Sequence, residues 1–170
     1  ETVGVGQSEV MVAGMVDFFL VLMISGAGDE LQGIKRGILE LADLVAVNKA
    51  DGDNVHRAQL ACREYASALH YMRRNSPHWD PPALACSGLS GEGLPALWAH
   101  IERHRATMEE HGEFARKRRE QQLQWVWQMV EGHLIDGLRR HPAVTGMLPA
   151  LEHQLAVQQT TPTLAAEAIL

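Results

Sequence analysis

Apolar residues fall first into short unbroken runs and later into stripes spaced by three and four, and this change of period divides the chain. Phe18-Phe19-Leu20-Val21-Leu22-Met23-Ile24 is wholly apolar, Leu44-Val45-Ala46-Val47 stops at once in Asn48-Lys49-Ala50-Asp51, and Ala83-Leu84-Ala85-Cys86 stops in Ser87-Gly88-Leu89-Ser90-Gly91-Glu92-Gly93. Runs of strand length with no polar break read as parallel strands covered by helices on both faces. Between them the spacing turns helical. Val12, Met15 and Val16 share one face of a first helix. Ile34, Ile38, Leu39 and Leu41 mark a short second one with Lys35, Arg36 and Glu40 facing water. Ala58, Cys62, Tyr65, Leu69 and Met72, widened by Ala61, Ala66 and Ala68, stripe a long helix from Val55 to Arg74. The alternation of strand, loop, helix and strand predicts an α/β fold with a mostly parallel sheet in three αβα layers.

From Leu94 onward the pattern is helical to the end. Leu97, Trp98, Ile101 and Met108 stripe a helix that closes the α/β part, and the polar run from Glu109 to Gln122 predicts a solvated helix with i,i+4 ion pairs. Leu123, Trp127, Val130, Leu134 and Leu138 then keep helical spacing, while Trp125, Val126, Met129 and Ile135 add a second apolar side. A helix apolar on two sides needs two partners, either a helical subdomain or another subunit. Pro142, Gly146 and Pro149 predict an interruption, Leu151 to Gln159 a helix, and Thr161-Pro162 the cap and first position of a last short one. The expected division is residues 1–104 as the α/β part and 105–170 as an all-helical arm.

Composition narrows the partners. The 170 residues carry a net charge of -6, with 46% hydrophobic and 21% charged residues, an ordinary globular balance that argues against a nucleic-acid or anionic-membrane surface. Cys62 and Cys86 stand far apart with no C-x-x-C, as reduced thiols do. No apolar run reaches the length of a membrane span, and the opening Glu1-Thr2-Val3-Gly4 has no basic leader, so a cytoplasmic protein is the simplest expectation. His100 and His104 lie four apart, a spacing that suits a metal, but no third ligand follows and a solvated surface is the preferred reading.

The specific chemistry lies where the second run ends. In N-K-x-D, a carboxylate at Asp51 accepts two parallel hydrogen bonds from the N1–H and 2-amino edge of guanine. Adenine lacks that donor pair and would leave the carboxylate unsatisfied. Lys49 would lay its stem along the base and Asn48 would tie neighbouring loops. Past the third run, the Gly88 and Leu89 amides are candidates to meet a base carbonyl. The glycine-rich opening, with Glu1 at its head, suits a phosphate, since a loop entering a helix presents free N–H groups. A plain turn explains that opening equally well.

Taken in order, ETVGVGQSE at Glu1–Glu9, GAGDELQGIKRG at Gly26–Gly37, ADLVAVNKADGDN at Ala42–Asn54 and CSGLSGEGL at Cys86–Leu94 resemble the MeaB-like GTPases. This family includes the methylmalonic aciduria type A protein and proteins called ArgK or LAO/AO transport ATPases, and the resemblance covers essentially the whole chain. It implies a partial P-loop NTPase fold: the half of a GTPase domain from Walker B to the guanine loops, followed by a dimerisation arm. It implies that Glu1 helps hold Mg²⁺ through water, that Gly4 donates to the γ-phosphate, and that Gln7 lies in the adjoining switch. It places Asn48, Lys49, Asp51, Ser87, Gly88 and Leu89 at the guanine base of GTP or GDP. Asp29, Glu30, Gln32 and Lys35 match an additional loop that signals to a partner mutase. The implied function is a homodimeric GTP-hydrolysing chaperone for an adenosylcobalamin-dependent mutase of the methylmalonyl-CoA type, working in the bacterial cytosol.

One departure is large. The P-loop pattern G-x-x-x-x-G-K-[ST] is nowhere in these residues. Without its lysine, hydroxyl and amide cradle, charge on a transferring phosphoryl group goes unstabilised. The expectation is therefore a C-terminal fragment that alone binds triphosphate poorly and hydrolyses it negligibly. Two rivals stay open: a non-enzymatic dimerisation module on a nucleotide-dead remnant, and a metal-insertion GTPase of the same superfamily, which would be expected to carry His- or Cys-rich clusters.

Overall fold

A computed structural model describes residues 8–24, 36–72 and 75–170. The apolar runs form a parallel sheet, β1 (Leu20–Ile24), β2 (Leu44–Asn48) and β3 (Ala83–Ala85), in the order β1-β2-β3. Leu20 faces Leu44 and Ile24 faces Asn48 across the first pair, and Val45 faces Ala83 across the second. Strand β2 is paired on both edges and covered on both faces, so Leu44, Val45, Ala46 and Val47 are all 0% exposed. Burying each of the leucine and valine side chains contributes roughly 1.5–3 kcal/mol, and Ala46 less, which makes β2 the anchor of the sheet.

The alternation of a strand assigns the two faces. Val45 and Val47, with Val21 and Met23, join Ala58, Tyr65 and Leu69 of helix α3 (Val55–His70), together with Leu39 of α2 (Arg36–Leu41). Val12 of α1 (Ser8–Ala13) packs against the same cluster. On the other face Leu44, Ala46, Leu84 and Cys86 meet Leu97 and Ile101 of α4 (Leu94–Glu110). The expected stripe of α3 is observed, except that Ala66 is exposed and the helix closes at His70, where the Tyr71 N–H turns back to Ala68.

Strand β1 departs from expectation. It begins at Leu20 because the Phe19 N–H is taken by the Asp43 carboxylate at 2.8 Å. Helices were expected on both its faces, yet Leu22 and Ile24 are 62% and 50% exposed, because α4 seats over β2 and β3.

Asp43 is a buried hub below the sheet. Its carbonyl accepts from Trp79 Nε1 at 2.8 Å, and its carboxylate lies 3.7 Å from both His104 Nε2 and Lys117 Nζ. His104, expected at a solvated surface, is instead buried, edge-on to both Phe18 and Trp79. Trp98, expected in the core stripe, is exposed and donates to Glu102 at 2.9 Å.

The polar run breaks at Gly112, whose φ of +68° suits glycine, and helix α5 (Glu113–Arg140) starts immediately afterwards. Its first turns are not simply solvated. Glu113 is buried against His78 at 2.5 Å, Arg118 pairs with Asp17, and Gln121 donates to the Val16 carbonyl at 3.0 Å. Elsewhere the run is largely exposed as expected and carries i,i+4 pairs, Arg105 with Glu109 at 2.8 Å and Arg116 with Glu120 at 4.0 Å.

Helix α6 (Pro142–Ala156) runs through the interruption expected at Pro142, Gly146 and Pro149. Pro142 occupies the first turn, where a missing N–H costs nothing, and His141 caps the Ala143 N–H. Helix α7 (Pro162–Ile169) is capped by Thr161 as expected. The chain groups into two compact units, Glu1–Gln121 and Gln122–Leu170. Along the second unit's part of α5, Leu123, Trp125, Val126, Trp127, Met129, Val130, Leu134 and Ile135 are all exposed. No helix among the described residues is long and apolar enough to cross a membrane.

Candidate functional site

Two loops meet at the carboxyl ends of β2 and β3. In the first, Asn48 ends the strand, Lys49 turns through a left-handed φ of +60°, and the buried Ala50 is pinned by its N–H to the Cys86 carbonyl at 3.0 Å. Asp51 follows in extended conformation and is half-buried. In the second loop Ser87 is 0% exposed and its hydroxyl donates to Asp51 Oδ2 at 2.5 Å. The Ser87 hydroxyl oxygen in turn accepts from the Leu89 and Ser90 N–H groups at 3.2 and 3.0 Å. Asn48 Oδ1 joins the loops a second time, accepting the Lys49 N–H at 2.8 Å and the Gly88 N–H at 3.0 Å.

All six residues expected around a base, Asn48, Lys49, Asp51, Ser87, Gly88 and Leu89, therefore gather at one place. Their roles divide. Asn48 and Ser87 are internal ties, whereas Lys49, Gly88 and Leu89 are exposed and the half-buried Asp51 carboxylate is held, among the described residues, by the Ser87 hydroxyl on Oδ2. A carboxylate has about four lone-pair sites, so this geometry keeps acceptor capacity for a ligand with two adjacent donors. The Gly88 and Leu89 amides, expected to point at a base carbonyl, are each taken by a side chain of the site.

Two further residues, outside the six, shape the loops. Asn54 Nδ2 donates to the Lys49 carbonyl at 2.7 Å. Gly93 closes the second loop at φ +77°, where a Cβ would lie 2.4 Å from the Ala85 carbonyl oxygen. Both lie within segments that carry the family resemblance, but only backbone geometry gives them a task.

Burial pushes the Cys62 and Cys86 thiols up, so neither is a reactive thiolate. His100 and His104 do not converge: the His100 ring contacts Arg103 while His104 is buried by Asp43. Among the described residues no group of three His, Cys, Asp or Glu side chains is placed to hold a metal ion. Glu1, Gly4 and Gln7, and likewise Asp29, Glu30, Gln32 and Lys35, lie outside the described residues.

The chain is similar to known proteins along its whole length. The family model for the methylmalonyl-CoA mutase-associated GTPase MeaB matches residues 1–143. A putative GTPase of Caulobacter vibrioides is 48% identical over 170 residues, all of this chain and 52% of that protein. The mitochondrial methylmalonic aciduria type A homolog of Mus musculus is 41% identical over the whole chain and 41% of its own length, and the GTPase ArgK of Escherichia coli is 43% identical over 81% of the chain and 42% of its own. The crystal structure of an LAO/AO transport system kinase superposes with a TM-score of 0.75 at 33% identity, covering 99% of this chain and 54% of that one. The chain thus spans about half the length of the curated relatives it matches. Its sheet and loops are those of a P-loop GTPase fold followed by helices, and it belongs to the MeaB family of methylmalonyl-CoA mutase-associated GTPases.

Proposed function

We propose that this chain supplies the guanine-reading part of a GTP-hydrolysing chaperone that assists an adenosylcobalamin-dependent acyl-CoA mutase of the methylmalonyl-CoA type. The observation that supports the base-reading role most is the joining of the Asp51 carboxylate to the buried Ser87 hydroxyl, with the Gly88 amide tied to Asn48. Pre-setting both loops lowers the cost of ordering them around a base. Asp51 then accepts the N1–H and 2-amino donors of guanine, Lys49 lays its stem along the ring, and Ser87 keeps the carboxylate aimed. Selectivity follows because adenine leaves a partly desolvated carboxylate without donors.

Hydrolysis belongs to the phosphate end of the nucleotide. The family's reaction transfers the γ-phosphoryl group to water with Mg²⁺ neutralising the developing charge. Glu1 would hold that ion through water, Gly4 would donate to the γ-phosphate, and Gln7 with the Asp29, Glu30, Gln32 and Lys35 loop would report its presence to the mutase. The described residues offer no ligand set of their own for the ion. The exposed apolar stripe of α5 supports a homodimer through the C-terminal helices, and the acidic chain with no membrane-length helix among its described residues supports a cytoplasmic setting. Calorimetric titration of the full-length protein with GDP and ADP tests the reading: GDP binding with at least about a hundredfold preference supports it, and equal affinity overturns it.

A further inference from the structure

Asn54 stands at the N-cap of α3, where an asparagine ordinarily accepts an N–H from its own helix. Here its side chain makes no such cap bond. The amide reaches back instead, and Nδ2 donates to the Lys49 carbonyl at 2.7 Å. Lys49 needs such help. With Gln158, it is one of two non-glycine residues among the described residues with positive φ, in a left-handed conformation that its Cβ makes costly. Its N–H is already held by Asn48 Oδ1 at 2.8 Å, so the Asn54 bond secures the carbonyl side of the same residue. The Asn54 backbone N–H meanwhile donates to the Asp51 carbonyl at 3.0 Å, closing the 3₁₀ turn Gly52–Asn54. One residue outside the N-K-x-D motif therefore grips that strap on both sides of Ala50.

We infer that Asn54 is a positioning residue for guanine recognition: it holds Lys49 left-handed and so sets the direction from which the Lys49 stem and the Asp51 carboxylate meet the base. Its capping capacity is diverted from stabilising α3 to shaping the loop. The inference rests on the reading of Asp51 proposed above.

The test uses the full-length protein with GDP and with IDP, which lacks the 2-amino group and so reports on the paired hydrogen bonds at Asp51. Asn54→Asp keeps the shape of the side chain and removes the donor. The expected result is an about tenfold loss of GDP affinity with a smaller change for IDP, so that the preference for GDP shrinks. The Lys49 intraresidue amide-to-α nuclear Overhauser effect, strong at positive φ because the two protons are then close, should weaken. In a Lys49→Gly background, where the left-handed turn costs little, the same Asn54→Asp change should cost less than half as many fold. A GDP-to-IDP preference unaltered by Asn54→Asp, or an equal loss in both backgrounds, overturns the inference. A wild-type protein that binds GDP and IDP equally speaks against the Asp51 reading, and the clamp is then judged by that Overhauser effect alone: positive φ retained in Asn54→Asp overturns it. Asn54→Ala replaces the aspartate variant, with the same outcomes, should that variant fail to fold.

Discussion

The hydroxyl of Ser87, fully buried, donates to the carboxylate of Asp51 across 36 residues of sequence and joins the loops that follow β2 and β3. The same oxygen accepts two backbone N–H groups, so one small side chain satisfies three polar partners. Ser87→Ala should destabilise the protein by about 1–3 kcal/mol, the cost of leaving buried polar groups unmade. It should also weaken GDP binding more than a surface substitution of equal stability cost. Urea unfolding and GDP titration on the same variant check both.

Gly93 and Gly91 both lie at positive φ, yet their surroundings differ. A Cβ on Gly93 would meet the Ala85 carbonyl oxygen at 2.4 Å, whereas one on Gly91 meets nothing within 4 Å. Gly91→Ala should cost about 1–2 kcal/mol for the left-handed backbone alone. Gly93→Ala should cost more than about 3 kcal/mol, because the rigid end of β3 has to move as well. Thermal unfolding of the two variants side by side measures the difference.

Stability should fall in mild acid through His104. Burial holds its imidazole below the usual range; Asp43 and Glu113 pull the other way, while Lys117 adds to the depression. A basic group depressed in the fold binds its proton more readily when unfolded. Its contribution is thus full above the ordinary value of about 6.5 and declines as pH drops below it toward the folded value. Glu113 acts lower on the scale: burial alone would raise its carboxyl, but hydrogen bonds with His78 and Ser76 outweigh that and hold it below the usual range. Its contribution is present above the ordinary carboxylate value and is lost as pH falls through the depressed one. Urea midpoints between pH 7.5 and 5 should decline in the wild type and flatten in His104→Phe, which keeps a ring between Phe18 and Trp79.

The homodimer proposed above is tested on the exposed stripe of α5. Trp127 and Leu134 are 64% and 68% exposed, and an apolar helix face of this length marks an interaction surface, which the homodimer proposed above would cover. Leu134→Glu should convert a dimer to a monomer in light scattering without lowering the unfolding temperature of the α/β unit by more than about 2 °C.

Much of this was legible from residue order. The run Leu44–Val47 declares a doubly covered strand because no polar residue interrupts it, and the Ala58, Tyr65 and Leu69 spacing declares the buried side of α3. The convergence of Asp51 with Ser87 followed from chemistry placed at the ends of adjacent parallel strands. What stayed hidden depended on contacts made far away. His104 reads as surface beside Arg103 and Arg105 until Phe18 and Trp79 enclose it. Glu113 and Arg118 read as solvated until His78 and Asp17 receive them. Pro149 reads as a break, yet α6 gives up one backbone donor and continues. Asn54 reads as a cap, and only the left-handed Lys49 shows where its amide goes.

The central claim is that the Asp51 carboxylate reads the donor edge of guanine. Xanthine replaces the 2-amino group with a carbonyl, so an amide at this position accepts from N1–H and donates to that oxygen, where a carboxylate is repelled. Titrating Asp51→Asn with GDP and XDP measures this directly. GDP affinity should fall by about 1–3 kcal/mol together with a gain for XDP. Unchanged GDP affinity with no gain for XDP would contradict the claim.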